Sequence, residues 1–284
     1  MHVIASTITT EASVTWTSDN FIRVEASSIA LNSNTGNTFE SVSFTEFLTL
    51  DTTSANITMM APARLTSTTS SIEWQASAIE VTGDASTTFD VSAETWARFD
   101  TRRQGTMRVH VPFNMDADTE VIEVLSQITT HGACTWTAGT DITVNATDGI
   151  RFEGDNTNSF HAGYCPNEIG GCTDGKITLV TTGASGTVAV KAPATLDSTN
   201  MSINVQSNFI DVTSLDQHST VLQLTASGQG GVTLNTGASP GAVKDQIEVS
   251  AKFVVDVGTG GVSVDSRSVT FRGPIQWVAQ NSVE

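Results

Sequence analysis

One short phrase recurs along this chain and constrains its fold more than anything else in it. Ile22-Arg-Val24-Glu-Ala26 leads to Ile29-Ala-Leu31, and Ile72-Glu-Trp74-Gln-Ala76 leads to Ile79-Glu-Val81. Ile203-Asn-Val205-Gln-Ser207 leads to Ile210-Asp-Val212, and Val262-Ser-Val264-Asp-Ser266 to Val269-Thr-Phe271. Apolar residues at every second position make a strand with one buried face. Each alternating run covers only about five residues, which is short for a sheet strand. The breaks, such as Ala26-Ser27-Ser28 and Ser266-Arg267-Ser268, lack the Asn-Gly or Asp-Gly pairs of a tight hairpin. Small residues at such breaks suit a corner that redirects the chain without reversing it. Repeated corners wind a chain into a β-solenoid of stacked parallel strands, with Val, Ile, Leu and Ala inside and Thr, Ser, Asp and Asn outside. Few aromatic rings are expected in so narrow an interior. The competing architecture is a tandem pair of β-sandwich or jelly-roll-like domains, whose size a unit of about 120 residues also fits.

The chain also repeats over a longer distance. Residues 57–83 align without gaps on residues 188–214 at an offset of 131, and both copies keep an Ala-Pro-Ala run, Ala61-Pro62-Ala63 and Ala192-Pro193-Ala194. Upstream, the segment from Ile8 matches the one from Ile128 at an offset of 120, placing Trp16 on Trp136. The extra 11 residues fall most simply in the loop that holds Cys165 and Cys172, which the first copy lacks. A third, partial copy begins at Val262, 120 residues beyond Ile142 and 240 beyond Ile22. These offsets divide the chain into a first β unit over 1–120, a second over 121–252 with an inserted loop at 160–176, and a segment 253–284. That last segment is a partial third repeat or a terminal piece.

Composition narrows the function classes. With 44 threonines among 284 residues, the chain favours extended backbone over helix. Lys+Arg of 13 against Asp+Glu of 30 gives a net charge of −17, which excludes nucleic-acid phosphate as a natural partner. No apolar run is long enough for a transmembrane helix, and the N-terminus lacks the basic start and apolar stretch of a secretory signal. Sequons at Asn56, Asn145 and Asn200 matter only in a secretory pathway.

Candidate chemistry is sparse. In an oxidising compartment Cys165 and Cys172 can close a local disulfide; the alternatives are two free thiols or, with His161, part of a zinc site that lacks paired C-x-x-C spacing. His2, His110, His131, His161 and His218 read as scattered surface residues that fit no triad or metal motif. The acids Glu25, Glu73, Glu80, Asp90, Asp211 and Glu248 fall on outward strand positions without forming an identifiable glycosidase pair. Arg98, Arg102, Arg103 and Arg108 form the only tight basic cluster, read as a solvated loop or a chain–chain contact. The run Glu153-Gly154-Asp155-Asn156-Thr157-Asn158 is the best calcium candidate, although a polar turn explains it better. The expectation is a chain with no catalytic residues, no cofactor and no metal.

Phrases such as IEWQASAIEV and INVQSNFIDV resemble the β-helical spikes and fibres of phage tails and the passengers of bacterial adhesins. The resemblance is one of pattern. It implies a non-enzymatic structural protein, self-associating into a homo-oligomer or filament outside the cell, on its surface or on a virion. A carbohydrate- or receptor-binding module recognising glycans or a surface receptor through the 160–176 loop is the alternative, and a polysaccharide lyase or glycosidase a third.

Overall fold

The computed structural model describes residues 1–49, 56–101, 105–155, 157–163, 174–214, 216, 220–237 and 245–280, without the side chains of 47–49 and 121–126. Every regular element among them is a β-strand. The strands form one sheet of 18 and one of 11, and the pairing within both is parallel. This is a β-solenoid, as the alternation predicts. Each turn of the chain crosses two arms of the larger sheet, rounds a corner, and adds one strand to the smaller sheet. Some strands, such as Ile22–Leu31, run through the bend and pair with both Thr45–Thr49 and Asn56–Met60 of the next turn.

Inward residues stack in columns. In the larger sheet Ile8, Ile29, Ile57 and Ile79 occupy successive turns at one position. The column continues through Met107, Ile128 and Ile150. In the smaller sheet the central column begins Trp16, Phe39, Leu65, Val91, Met115. It then restarts as Trp136, Phe160, Leu196, Leu224, Val255. The next turn carries Trp277. The internal repetition is therefore a period of five turns, in which a Trp turn is followed by a Phe turn and then a Leu turn.

The copies share local chemistry as well as register. Both Ala61-Pro62 and Ala192-Pro193 are cis. The backbone N–H of Asn37 donates to the Pro62 carbonyl and that of Asn158 to the Pro193 carbonyl, each at 3.0 Å. The Asn37 side chain donates to the Met60 carbonyl at 3.0 Å, and the Asn158 side chain to the Lys191 carbonyl at 3.2 Å. In both copies a buried Asn closes the stretch that leads into the Ala-Pro corner.

The third copy has a different phase from the even spacing of Ile22, Ile142 and Val262. Ile142 stands five turns above Ile22, but Val262 stands four above Ile142. Turns of one cross-section are closed by loops of unequal length, so residue spacing does not count turns. Phe113 and Cys134 lie one turn apart with 21 residues between their numbers, whereas Asn158 and Ala194 lie one turn apart with 36. The extra residues of the longer turn fall between the strands Asn158–Ala162 and Gly175–Thr181.

The interior also holds more aromatic mass than its expected narrowness allows. Trp74, Phe89, Phe99, Phe113, Trp136 and Phe160 are buried. They pack largely edge to face, as Phe113 on Trp136 at 5.4 Å and Trp136 on Phe160 at 5.2 Å. The rings are few but concentrated in the core, where such pairs add to the burial of their area. Farther along, the core turns aliphatic, and Val190, Leu196, Val205, Val212, Leu224 and Leu234 are among the residues around an apolar void of about 30 Å³. Glycine holds the corners where turns approach closely: a Cβ on Gly139 would lie 1.7 Å from the Asp118 carbonyl oxygen of the turn below.

Candidate functional site

With inward positions filled by core, chemistry is confined to outward positions, which a parallel register also stacks in columns. On the smaller sheet these columns form a trough of about 390 Å³ lined by Arg64, Asp90, Ser92, Asn114, Asp116 and Thr135, among others. Asn114 donates to Asp90 at 2.8 Å, and the Thr88 hydroxyl donates to the other Asp90 oxygen at 2.9 Å. Desolvation in the trough, with Asp118 nearby, pushes the Asp116 carboxyl above its ordinary range.

The trough ends at Thr135 and Thr137. One turn above them stand Ser159 and His161. Ser159 and His161 share an outward face because they are two apart in the strand Asn158–Ala162. Their side chains lie 2.6 Å apart, from Ser159 Oγ to His161 Nε2. The next turn places Asp197 directly over His161, with His161 Nδ1 3.6 Å from Asp197 Oδ2. A carboxylate facing Nδ1 favours the proton there, which leaves Nε2 to accept the hydrogen bond donated by the Ser159 hydroxyl. Thr135 below and Thr195 above flank Ser159 in register.

The other histidines are placed differently. His110 and His131 stack at 4.8 Å, with Glu80 3.7 Å from the first and Glu153 3.3 Å from the second. His2 lies 3.0 Å from Glu25, whose carboxyl is held below its usual range by that hydrogen bond and then by Arg23. His218 lies outside the described residues, as do Arg102, Arg103, Cys165 and Cys172. The disulfide and zinc readings therefore fall there too. The Cys134 thiol is buried and donates to the Thr130 hydroxyl at 3.2 Å.

The remaining acids are dispersed. Glu73 and Asp100 share Arg98 at 3.7 and 3.3 Å. Glu248 accepts a hydrogen bond from Gln246, and Arg108 is exposed on the outer face. The calcium candidate does not converge as a ligand set. Asp155 is ion-paired with Lys191, Glu153 faces His131, and Asn158 points inward to bond the Cys134 N–H and the Lys191 carbonyl. Asn156 lies outside the described residues. Among the described residues no group of three or more His, Cys, Asp or Glu is placed to hold a metal.

Architecture and faces together define a class, a parallel β-solenoid with a five-turn internal period. Comparison with protein-family models, with curated proteins and with solved structures finds no match. No helix among the described residues is long and apolar enough to cross a membrane.

Proposed function

We propose that this chain is a structural rod that stacks end to end with copies of itself, as part of a fibre, sheath, surface layer or appendage outside the cell or on a virion. The observation that carries the reading is the Trp277 turn. Each other turn of its type is covered by a turn bearing Phe: Phe39 meets Trp16 at 5.3 Å and 88°, and Phe160 meets Trp136 at 5.2 Å and 83°. In the turn of Trp277, the inward residues Val269 and Ile275 are 39% and 43% exposed. Among the described residues its strand Ile275–Ala279 pairs only with the turn below. A parallel edge with an open apolar cross-section is a template for another solenoid turn. The first turn of a second copy fits this template, since among the described residues its strand His2–Thr10 pairs only with Ile22–Leu31 of the turn above.

Electron microscopy and sedimentation of the 284-residue chain test this reading. Rods lengthening with concentration are expected, and Trp277→Asp should return them to single particles with an unchanged β signal in circular dichroism. Compact monomers at every concentration, or rods indifferent to Trp277→Asp, overturn it.

A second reading, glycan binding, is supported by the trough, whose Asp90, Asn114, Ser92 and Thr135 are the groups that hold sugar hydroxyls. A glycan array answers it: loss of all binding in the double variant Asp90→Ala, Asn114→Ala supports it, and an array without binding ends it.

A further inference from the structure

We infer that Ser159, His161 and Asp197 form a nucleophile, base and carboxylate set that cleaves small carboxylic esters on the outer face of the smaller sheet. This goes beyond the stacking role, which uses the ends of the rod and leaves this side face free. The groups occupy the order such chemistry needs. Ser159 Oγ is 2.6 Å from His161 Nε2, and the opposite ring nitrogen faces Asp197 at 3.6 Å. The first distance is that of a formed hydrogen bond. The second is long, as such contacts often are before a substrate binds.

The step balances with water as the only co-reactant. Ser159 Oγ bonds to the acyl carbon while its proton passes to His161 Nε2. The tetrahedral adduct collapses, breaking the bond to the alcohol oxygen, and the departing alcohol takes the proton from His161. Water then attacks the acyl-serine with His161 again as base, which releases the acid and restores the Ser159 hydroxyl. Asp197 touches neither substrate nor acyl group; it is a positioning residue that holds the Nδ1 proton and steadies the imidazolium.

The surroundings select the substrate class. Backbone N–H groups in the middle of a parallel sheet are committed to the ladder, so oxyanion donors must be side chains, and Thr135 and Thr195 flank Ser159 on the two adjoining turns. Hydroxyl donors on an open, wet face give modest stabilisation. That suffices for an ester with a competent alcohol leaving group and falls short of what an amide requires. The trough leading to Ser159 offers hydroxyl-binding groups to the alcohol portion, so the fitting substrate is an O-acyl ester of a polyhydroxylated compound.

Two probes test this on the full chain: p-nitrophenyl acetate for turnover and diisopropyl fluorophosphate for covalent labelling mapped by peptide mass spectrometry. The expected label sits on Ser159 and is absent in Ser159→Ala and His161→Ala. Hydrolysis by Ser159→Ala should fall about a hundredfold, the low end of what a positioned general base supplies. Asp197→Asn should keep Ser159 labelable but slow, and lower kcat for p-nitrophenyl acetate while leaving KM unchanged, which a purely structural contact would not do. His110→Ala, just past the larger-sheet strand Thr106–Val109, should match wild type. Circular dichroism of each outward-facing variant confirms folding. No label on Ser159, or a Ser159→Ala rate within twofold of wild type, overturns the inference.

Discussion

The two buried asparagines let one prediction be worked from the structure with an internal control. Asn158 is fully buried, accepts from the Cys134 N–H at 3.1 Å and donates to the Lys191 carbonyl at 3.2 Å. Asn158→Ala strips both bonds inside a region water does not reach, which costs about 2–4 kcal/mol at roughly 1–2 per buried partner left behind. Asn37 occupies the matching place and donates to the Ser33 and Met60 carbonyls at 3.3 and 3.0 Å, but its side-chain oxygen is buried with no partner. Removing that oxygen relieves a desolvation penalty that offsets the lost donations, so Asn37→Ala costs about 0–2 kcal/mol. At roughly 2 °C per kcal/mol for a chain of this size, Asn158→Ala should melt about 4–8 °C below wild type, and Asn37→Ala less than half as far. Thermal melts measure the ranking. Hydrogen exchange on peptides spanning Cys134–Ala138 measures it locally, which matters because stacked turns open in parts rather than all at once. Equal costs, or a larger one at Asn37, would refute the assignment of both bonding patterns.

Phe113 touches Phe89, Phe99 and Trp136 at 5.0, 5.8 and 5.4 Å, so Phe113→Ala should cost about 3–5 kcal/mol by denaturant titration, and a cost under about 1 would show that the ring column closes over the gap. Val205→Ile places one methylene in the void of about 30 Å³ beside it and should stabilise by up to about 0.8 kcal/mol; a lower melting point would show that the added carbon meets neighbours instead. Burial, then Asp118, raise the Asp116 carboxyl above its ordinary 3.8. The folded state thus binds that proton more tightly than the unfolded state, and stability contributed by the site is lost as pH rises through the raised value. Asp116→Asn should therefore melt above wild type near pH 7 and level with it near pH 3; a variant equally stabilised at both would separate the effect from ionisation.

The fold was legible because it rests on short-range signals. Period-two alternation in Ile72-Glu-Trp74-Gln and its kin selects strands, and small, non-hairpin breaks select corners over reversals. Register was legible only where loops kept their length. Trp16 and Trp136 are 120 residues apart but Trp136 and Trp277 are 141, because the turns from Asn158 to Ala194 and from Leu222 to Phe253 take 36 and 31 residues where the first copy takes 26 and 24; Trp277, not Val262, is therefore in phase with the earlier copies. The aromatic interior was hidden for a different reason. The expectation of few rings inside followed from a narrow interior and matched the low content, but low content says nothing about where the rings go, and Phe89, Phe113 and Trp136 pile into consecutive turns.

The side face was hidden most completely. That Ser159 and His161 share a face follows from their spacing, but Asp197 lies 36 residues beyond His161 and comes over it only through the parallel register of the next turn. The two copies show what is particular to this place. Their inward residues repeat, Phe39 with Phe160 and Leu65 with Leu196, since both copies fill one cross-section. Their outward residues do not: Thr38 and Glu40 stand where the second copy has Ser159 and His161, and Thr66 where it has Asp197. Stacking constrains the inside and leaves outward positions free to vary, so a difference outside is unremarkable by itself. At these three positions, however, the differences place a nucleophile, a base and a carboxylate in register, whereas the first copy has a threonine, a carboxylate and a second threonine. The face around Glu40 is thus a built-in comparison within the same molecule. Covalent labelling that finds Ser159 and passes over Thr38 separates chemistry grown on the second copy from the reactivity of any hydroxyl on an open sheet.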